Sequence, residues 1–206
     1  MRTFKRKAAL IALFLLIMIL SLGCSHNVAV APKPPTQITT ERSPLDVGLY
    51  ISEEFKNFQV CEYKKGEKWN YINLGQASAT QFQLALGETF HSVELVDSKP
   101  PFPCRKDITI HAVVEPAIDK FDFGIPFMTC LVYPARLHYK ITVYDIKGNI
   151  IMEETVKGIG DAKGHPGFDR SENPSASASK AVEDGVQKAI KLIVNSEKIQ
   201  RVKNRQ

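Results

Sequence analysis

The stretch from Leu137 to Val156 constrains the fold of this 206-residue chain more than any other. Leu137, Tyr139, Ile141 and Val143 alternate with polar residues, Lys147-Gly148 supplies a turn, and Asn149 to Val156 leads back. A period of two puts every second side chain on one face of a strand, and a Gly-containing turn between two such runs gives an antiparallel hairpin. A lone hairpin is at best marginal in water, so the rest of the chain must cover its apolar face.

The remaining elements follow from the same reasoning. Asp46 to Ile51 reads as a short buried strand and Phe58 to Tyr63 as an alternating one, followed by the turn-rich Lys64-Lys65-Gly66-Glu67. Asn73 is placed to cap a helix, with Gln76 at the reciprocal capping position. Ala79, Phe82, Leu86 and Phe90 then recur at helical spacing, which predicts a helix from Leu74 to Phe90. Val93 and Leu95 continue as a strand that Pro100, Pro101 and Pro103 end, and Asp107 to Val114 alternates again. Ala178, Val182, Gly185, Val186, Ala189 and Ile193 form a helical face that starts after Pro174, with Ser175 or Ser177 as its cap. The order is β-β-α-β-β-β-β-α. It predicts an α+β fold, a two-layer sandwich of a mostly antiparallel sheet with two helices on one face.

The N-terminus sets the address. Arg2, Lys5, Arg6 and Lys7 precede an uncharged apolar run from Ala8 to Leu22 that closes on Gly23-Cys24. A spanning helix needs about 20 apolar residues, and this run is shorter, so it reads as an export signal. Ser21-Leu22-Gly23-Cys24 resembles the processing box of bacterial lipoproteins, with Leu20 one position further out than usual; the resemblance implies a lipid on Cys24. Residues 1–23 are then the signal peptide and 24–44 the lipidated Cys with a stalk rich in Pro, including Pro32, Pro34 and Pro35. Residues 45–199 form one α+β domain and 200–206 a basic tail. In lipoproteins of this kind Ser25, in place of Asp, implies an outer-membrane, periplasm-facing protein.

Charge excludes one partner class. Of 27 basic residues four lie in the signal, which leaves 23 against 22 acidic ones in the mature chain. Nucleic-acid binding needs a basic stripe. Only Lys198, Arg201, Lys203 and Arg205 are locally basic, and they read as a solvated helix end.

The signal, the Pro-rich segment, the Gly75-Gln76-Ala77…Phe82-x-x-Ala85-Leu86 helix and the Asp145-x-x-Gly148-x-Ile150 hairpin resemble small Gram-negative envelope lipoproteins. The lipopolysaccharide-assembly lipoprotein and YajG-like lipoproteins are similar at this level. The resemblance spans Asp46 to Ser196 and implies an accessory role in the envelope, with an envelope protein as partner and no catalytic residues to carry over.

No chemistry-bearing motif emerges from the residues themselves. Beyond Cys24 the chain has Cys61, Cys104 and Cys130, an odd count in a compartment that favours disulfides; one bridge with one free thiol and three packing thiols are both open. No two Cys or His stand at metal-ligand spacing, so no metal or other cofactor is expected. His91, His111, His138 and His165 accompany no nucleophile motif, and His111 and His138 read as sheet residues. Gly158-Ile159-Gly160-Asp161-Ala162-Lys163-Gly164 fails the phosphate-loop spacing and reads as a flexible loop between strand and helix, lengthened by Gly167, Asp169 and Asn173. The most apolar stretch, Phe121 to Tyr133, is interrupted by Gly124, Pro126 and Pro134. Phe123, Ile125, Phe127 and Met128 are either an exposed partner-binding patch or part of a bent edge strand completing the core.

Two function classes stand after this reading. One is a membrane-anchored, non-enzymatic accessory or assembly subunit of an envelope machine. The other is a periplasmic hydrolase or small-ligand binding protein, with outward display as an adhesin a third option. The cysteine count makes a measurable statement: mature protein purified without reductant should expose one thiol to an alkylating probe after denaturation and three after reduction. Three thiols in both samples would mean that no bridge forms.

Overall fold

A computed structural model describes residues 25–32, 42–102, 109–125, 132–163 and 172–203. The elements are β1 (Ser25–Ala29), β2 (Ser43–Tyr50), α1 (Glu53–Lys56), β3 (Val60–Lys64), β4 (Glu67–Ile72), α2 (Leu74–Thr89), β5 (Phe90–Val96), β6 (Ala112–Phe123), β7 (Val132–Asp145), β8 (Ile150–Lys163), α3 (Glu172–Asn195) and α4 (Glu197–Lys203). The fold is α+β and mostly sheet. Each expected element overlaps an observed one, but β1, α1, β4 and α4 were not expected, and the strand expected over Asp107–Val114 begins at Ala112 and runs on to Phe123.

The strands form a five-stranded sheet in the order β5-β2-β6-β7-β8 and a three-stranded sheet in the order β1-β4-β3. Both are mixed: in the five-stranded sheet the antiparallel ladders are the longer ones, as expected, and the parallel pairings of β1 and β2 are additional. β2 runs parallel to both β5 and β6, and β1 parallel to β4, while β3/β4, β6/β7 and β7/β8 are antiparallel. Periodicity fixes which face a side chain takes; it carries no information about strand direction.

The β7–β8 hairpin turns where the sequence placed it. Gly148 takes φ +87, and the Asp145 carboxylate receives the backbone N–H groups of Lys147 at 2.9 Å and Asn149 at 2.8 Å. On β7, residues 135, 137, 139, 141 and 143 are all buried on one face. They join Leu45, Val47 and Leu49 of β2, Phe82 and Leu86 of α2, and Val182, Val186 and Ile190 of α3 in one core. Full burial of a side chain of this size contributes about 1.5 to 3 kcal/mol.

Tyr139 is central to that core. Its ring stacks edge-on to Phe82 at 5.3 Å, and its hydroxyl donates to Ser78 Oγ at 2.7 Å while Ser78 donates to the Leu74 carbonyl at 2.8 Å. Burial raises the tyrosine pKa, so the phenol stays neutral.

Three expectations at element ends are corrected. Asn73 does not cap α2 with its side chain; it adopts φ 61, and the Gly75 N–H at the helix start donates instead to the Phe58 carbonyl at 3.0 Å. A tertiary acceptor has replaced the local one. Helix α3 begins at Glu172, ahead of Pro174, because proline's missing N–H costs nothing in a first turn. Ser175 and Ser177 then point across to strands: Ser175 Oγ donates to the Ala29 carbonyl, and Ser177 Oγ to the Gly160 carbonyl at 2.8 Å.

The third is the stretch expected as a flexible loop, since Gly158 to Lys163 is the second half of β8. Here α3 lies directly on the strand. A Cβ on Gly158 would come within 2.0 Å of the Ala181 carbonyl oxygen, one on Gly160 within 2.0 Å of the Ser177 carbonyl oxygen, and one on Gly185 within 2.7 Å of the Tyr139 ring. The glycines serve close approach, with Ser177, Ala181 and Gly185 one turn apart on the facing side of the helix. The helix also satisfies the outer edge of β8. Asp184 accepts the Ile159 N–H at 2.7 Å, while Lys188 and Lys180 donate to the carbonyls of Lys157 and Asp161, both at 3.1 Å. An exposed edge of this length would otherwise template pairing with another chain.

Gly160→Ala should therefore lower stability by about 1 to 3 kcal/mol or more, because backbone lies in the way of the methyl group. Gly87→Ala in α2, where a Cβ meets nothing within 4 Å, should raise it by about 0.4 to 1 kcal/mol. Urea unfolding of the two variants beside wild type measures both.

Candidate functional site

The three-stranded sheet holds Ser25, the residue that follows Cys24 in the chain, at the end where β3 turns into β4. β1 starts at Ser25, so the region expected as a stalk is strand over Ser25–Ala29, and Ser43 and Pro44 at its other end already belong to β2. Cys24 and residues 33–41 lie outside the described residues. β1 is held by its parallel register with β4, Ser25 opposite Lys68 and Ala29 opposite Ile72. Asn70 clamps it further, its Nδ2 donating to Ser25 Oγ at 3.1 Å and Asn27 Oδ1 at 2.9 Å. Val28 is buried in the core, and His26 stacks on Trp69 with ring centroids 4.4 Å apart.

The β3–β4 turn at this end grips the segment expected to form a partner patch. Lys64 donates to the Phe123 carbonyl and lies 3.8 Å from the centroid of its ring, and Lys65 Nζ donates to the Ile125 carbonyl at 3.1 Å. Phe123 is a core residue, so at that position the core alternative holds and the exposed patch does not. It is 6% exposed and packs against Tyr71 at 4.5 Å, Phe121 at 6.1 Å and Trp69 at 6.2 Å. The cause is a register shift between Ile118 and Lys120: β6 sends Ala112 and Val114 inward before it, and Phe121 and Phe123 after it. Ile125 is half-buried against the same core. Phe127 and Met128 lie outside the described residues.

A second polar group lies on the far face of the five-stranded sheet. Ser92 Oγ and His91 Nδ1 donate to the same oxygen of Asp46, Oδ1, at 2.5 and 2.8 Å. His111 accepts the Asp46 backbone N–H on Nδ1 at 3.1 Å, and its own N–H donates to the Asp46 carbonyl at 2.8 Å. Ser92, then His91, hold the Asp46 carboxyl below its ordinary pKa against the opposing effect of burial. Ser, His and Asp meet here, but the histidine does not stand between hydroxyl and carboxylate as a serine nucleophile requires. The arrangement ties β2 to β5 and β6. Sequence reasoning missed it because Asp46, Ser92 and His111 are brought together only by strand order.

Nearby, Lys99 Nζ pairs with Glu115 at 2.7 Å and Tyr144 donates to the same carboxylate at 2.6 Å. These polar groups border a small apolar cluster of Val96, Ile110 and Val113. His138 lies half-buried on β7, and His165 is outside the described residues. Among the described residues no group of three or more His, Cys, Asp or Glu could hold a metal ion. An open groove of about 600 Å³ runs between β8 and the α3–α4 junction, with Met152 and Leu192 between Glu154, Lys188, Lys191 and Lys198.

Of the cysteines, Cys61 is a free, exposed thiol on β3. Cys104 and Cys130 lie outside the described residues. No described helix is long and apolar enough to cross a membrane.

No family model and no curated protein matches the sequence. Solved structures do. A neuraminyllactose-binding hemagglutinin homolog from Helicobacter pylori has a TM-score of 0.50 at 11% identity, over 85% of this chain and 97% of that one. A DUF330 protein from Xanthomonas campestris has a TM-score of 0.47 at 9% identity, over 81% and 92% respectively. A minor lipoprotein from Acinetobacter baumannii has one of 0.43 at 11% identity, over 78% and 96%. The likeness to the hemagglutinin homolog is one of fold.

The depressed pKa of Asp46 fixes a sign. Its contribution to stability is present above the ordinary carboxylate range and is lost as pH falls through the folded-state pKa. Asp46→Asn should therefore unfold at a lower temperature than wild type at pH 7. The gap should narrow below about pH 4, near the pKa of a free Asp, in thermal melts across a pH series.

Proposed function

We propose that this chain is a lipid-anchored envelope lipoprotein, periplasm-facing on the outer membrane, that serves as a non-enzymatic accessory or assembly subunit of an envelope transport or assembly machine. The signal and the Ser21-Leu22-Gly23-Cys24 box supply the anchor. The observation that supports the reading is that Ser25, the residue after the proposed lipid site, already lies in β1, so that cleavage before Cys24 leaves every described element intact.

The accessory role is supported by what the polar clusters do. Asp46, His91, Ser92 and His111 cross-link strands, and Lys99, Glu115 and Tyr144 border a small apolar cluster. Neither presents a base beside a free nucleophile. A surface-displayed adhesin is the second reading, prompted by the fold shared with the hemagglutinin homolog. Protease shaving of intact cells separates the two, because only an outward-facing domain is cut.

Radiolabelled palmitate tests the anchor. Wild type should incorporate it and fractionate with membrane, whereas Cys24→Ser should not label and should accumulate as an uncleaved precursor or a soluble product, since the mature chain offers no other thioether acceptor at a processing box. A Cys24→Ser protein that still labels and still sediments with membrane would overturn the reading.

A further inference from the structure

We infer that the domain rests directly on the headgroup layer of the leaflet that holds its lipid, through the end of the β1–β4–β3 sheet that carries Tyr63, Lys64, Lys65 and Lys68. This rests on the lipid-anchor reading of Cys24 given above.

Reach makes the argument. Consecutive Cα atoms stand about 3.8 Å apart, so the thioether-bearing residue is one such step from a strand already fixed in the sheet. A 20-residue extended stalk would have allowed roughly 60 Å at about 3.1 Å per residue. Ser25 has no freedom to supply a spacer: it stands in register with Lys68, Asn70 holds its hydroxyl, and the next residue stacks on Trp69. The Pro-rich residues follow β1 instead of preceding it, so they connect two strands and add nothing to the distance between lipid and domain.

The chemistry at this end suits a headgroup layer. Lys64 stands opposite Glu67 in the β3–β4 ladder and Lys68 opposite Ser25 in the β1–β4 ladder, so Lys64, Lys65 and Lys68 share the end of the sheet that holds Ser25. Glu62 and Glu67 are the acidic residues of the same two strands, and Glu62 is 3.3 Å from Lys64. Lys64 and Lys65 already donate to the Phe123 and Ile125 carbonyls, so Lys68, opposite Ser25 in the ladder, is the lysine whose stem can lie along the surface while its ammonium group reaches phosphate. Tyr63 is 74% exposed on β3, an amphipathic ring of the kind enriched where membrane meets water. Ile125, held by Lys65, and Val132, 38% exposed at the start of β7, add apolar surface at the same end.

Lysine footprinting on the full lipoprotein tests the inference. The protein is reconstituted into vesicles of phosphatidylethanolamine and phosphatidylglycerol and treated with a membrane-impermeant N-hydroxysuccinimide ester. The comparison is a variant with 20 Gly and Ser residues inserted between Cys24 and Ser25. Acylation of Lys65 and Lys68 should be several-fold lower in the wild type than in the spacer variant. Lys191 and Lys198, on the far part of α3 and on α4, should react equally in both and report that the variant is folded. Equal acylation of Lys65 and Lys68 in the two proteins would overturn the inference. Loss of palmitate incorporation or of vesicle association would instead overturn the anchor reading, so the two failures are separable.

Discussion

The contact of α3 with β8 is the constraint on which the rest of the structure depends. Three glycines let helix and strand approach until backbone meets backbone, at Gly158 and Gly160 on the strand and Gly185 on the helix. That approach seats Val182, Val186 and Ile190 against the β7 row and leaves the Tyr139 ring against Gly185 with its hydroxyl on α2. Packing of this kind cannot relax by rotating a side chain, since the neighbouring atoms are main chain. The same helix supplies Asp184, Lys188 and Lys180 to the outer edge of β8, so one element buries a face of the sheet and satisfies one of its edges.

The start of α3 also joins the two sheets. Ser177 donates to Gly160 of β8 and Ser175 to Ala29 of β1, so the helix that covers the large sheet also secures the first strand of the small one. Trp69 and Tyr71 of β4 meet Phe121 and Phe123 of β6, which brings the small sheet into the same core. The position of β1 is therefore a property of the whole core.

Some of this was legible. The hairpin and α2 came from periods of two and 3.6 over long windows, where the hydrophobic pattern is least ambiguous. Glu67 to Tyr71 also alternates, with buried Trp69 between Lys68 and Asn70 and buried Tyr71 after it, so β4 left a readable signal beside the Lys64-Lys65-Gly66-Glu67 turn. β1 left almost none. In Ser25–Ala29 only Val28 is a buried apolar residue, and the strand exists because β4 offers it a ladder. Phe123 was ambiguous because glycine and proline follow it and because the register shift before it breaks the alternation from Ala112.

The sequence by itself determined which faces are apolar, where the β7–β8 turn falls, that long helices cover sheet, and that an uncharged apolar run after Lys7 ends at Gly23-Cys24. These are local properties, set by side-chain period and by residues such as Gly148 that favour one backbone conformation. Tertiary structure alone decided that β2 runs parallel to both its neighbours, that Gly158 and Gly160 are packing surfaces, that Asp46 meets His91 and His111, and that Ser25 is already inside a sheet. Each of those depends on a partner distant in the chain, and composition within a window carries no record of which distant backbone will supply the other half of a ladder or the atoms a missing Cβ makes room for.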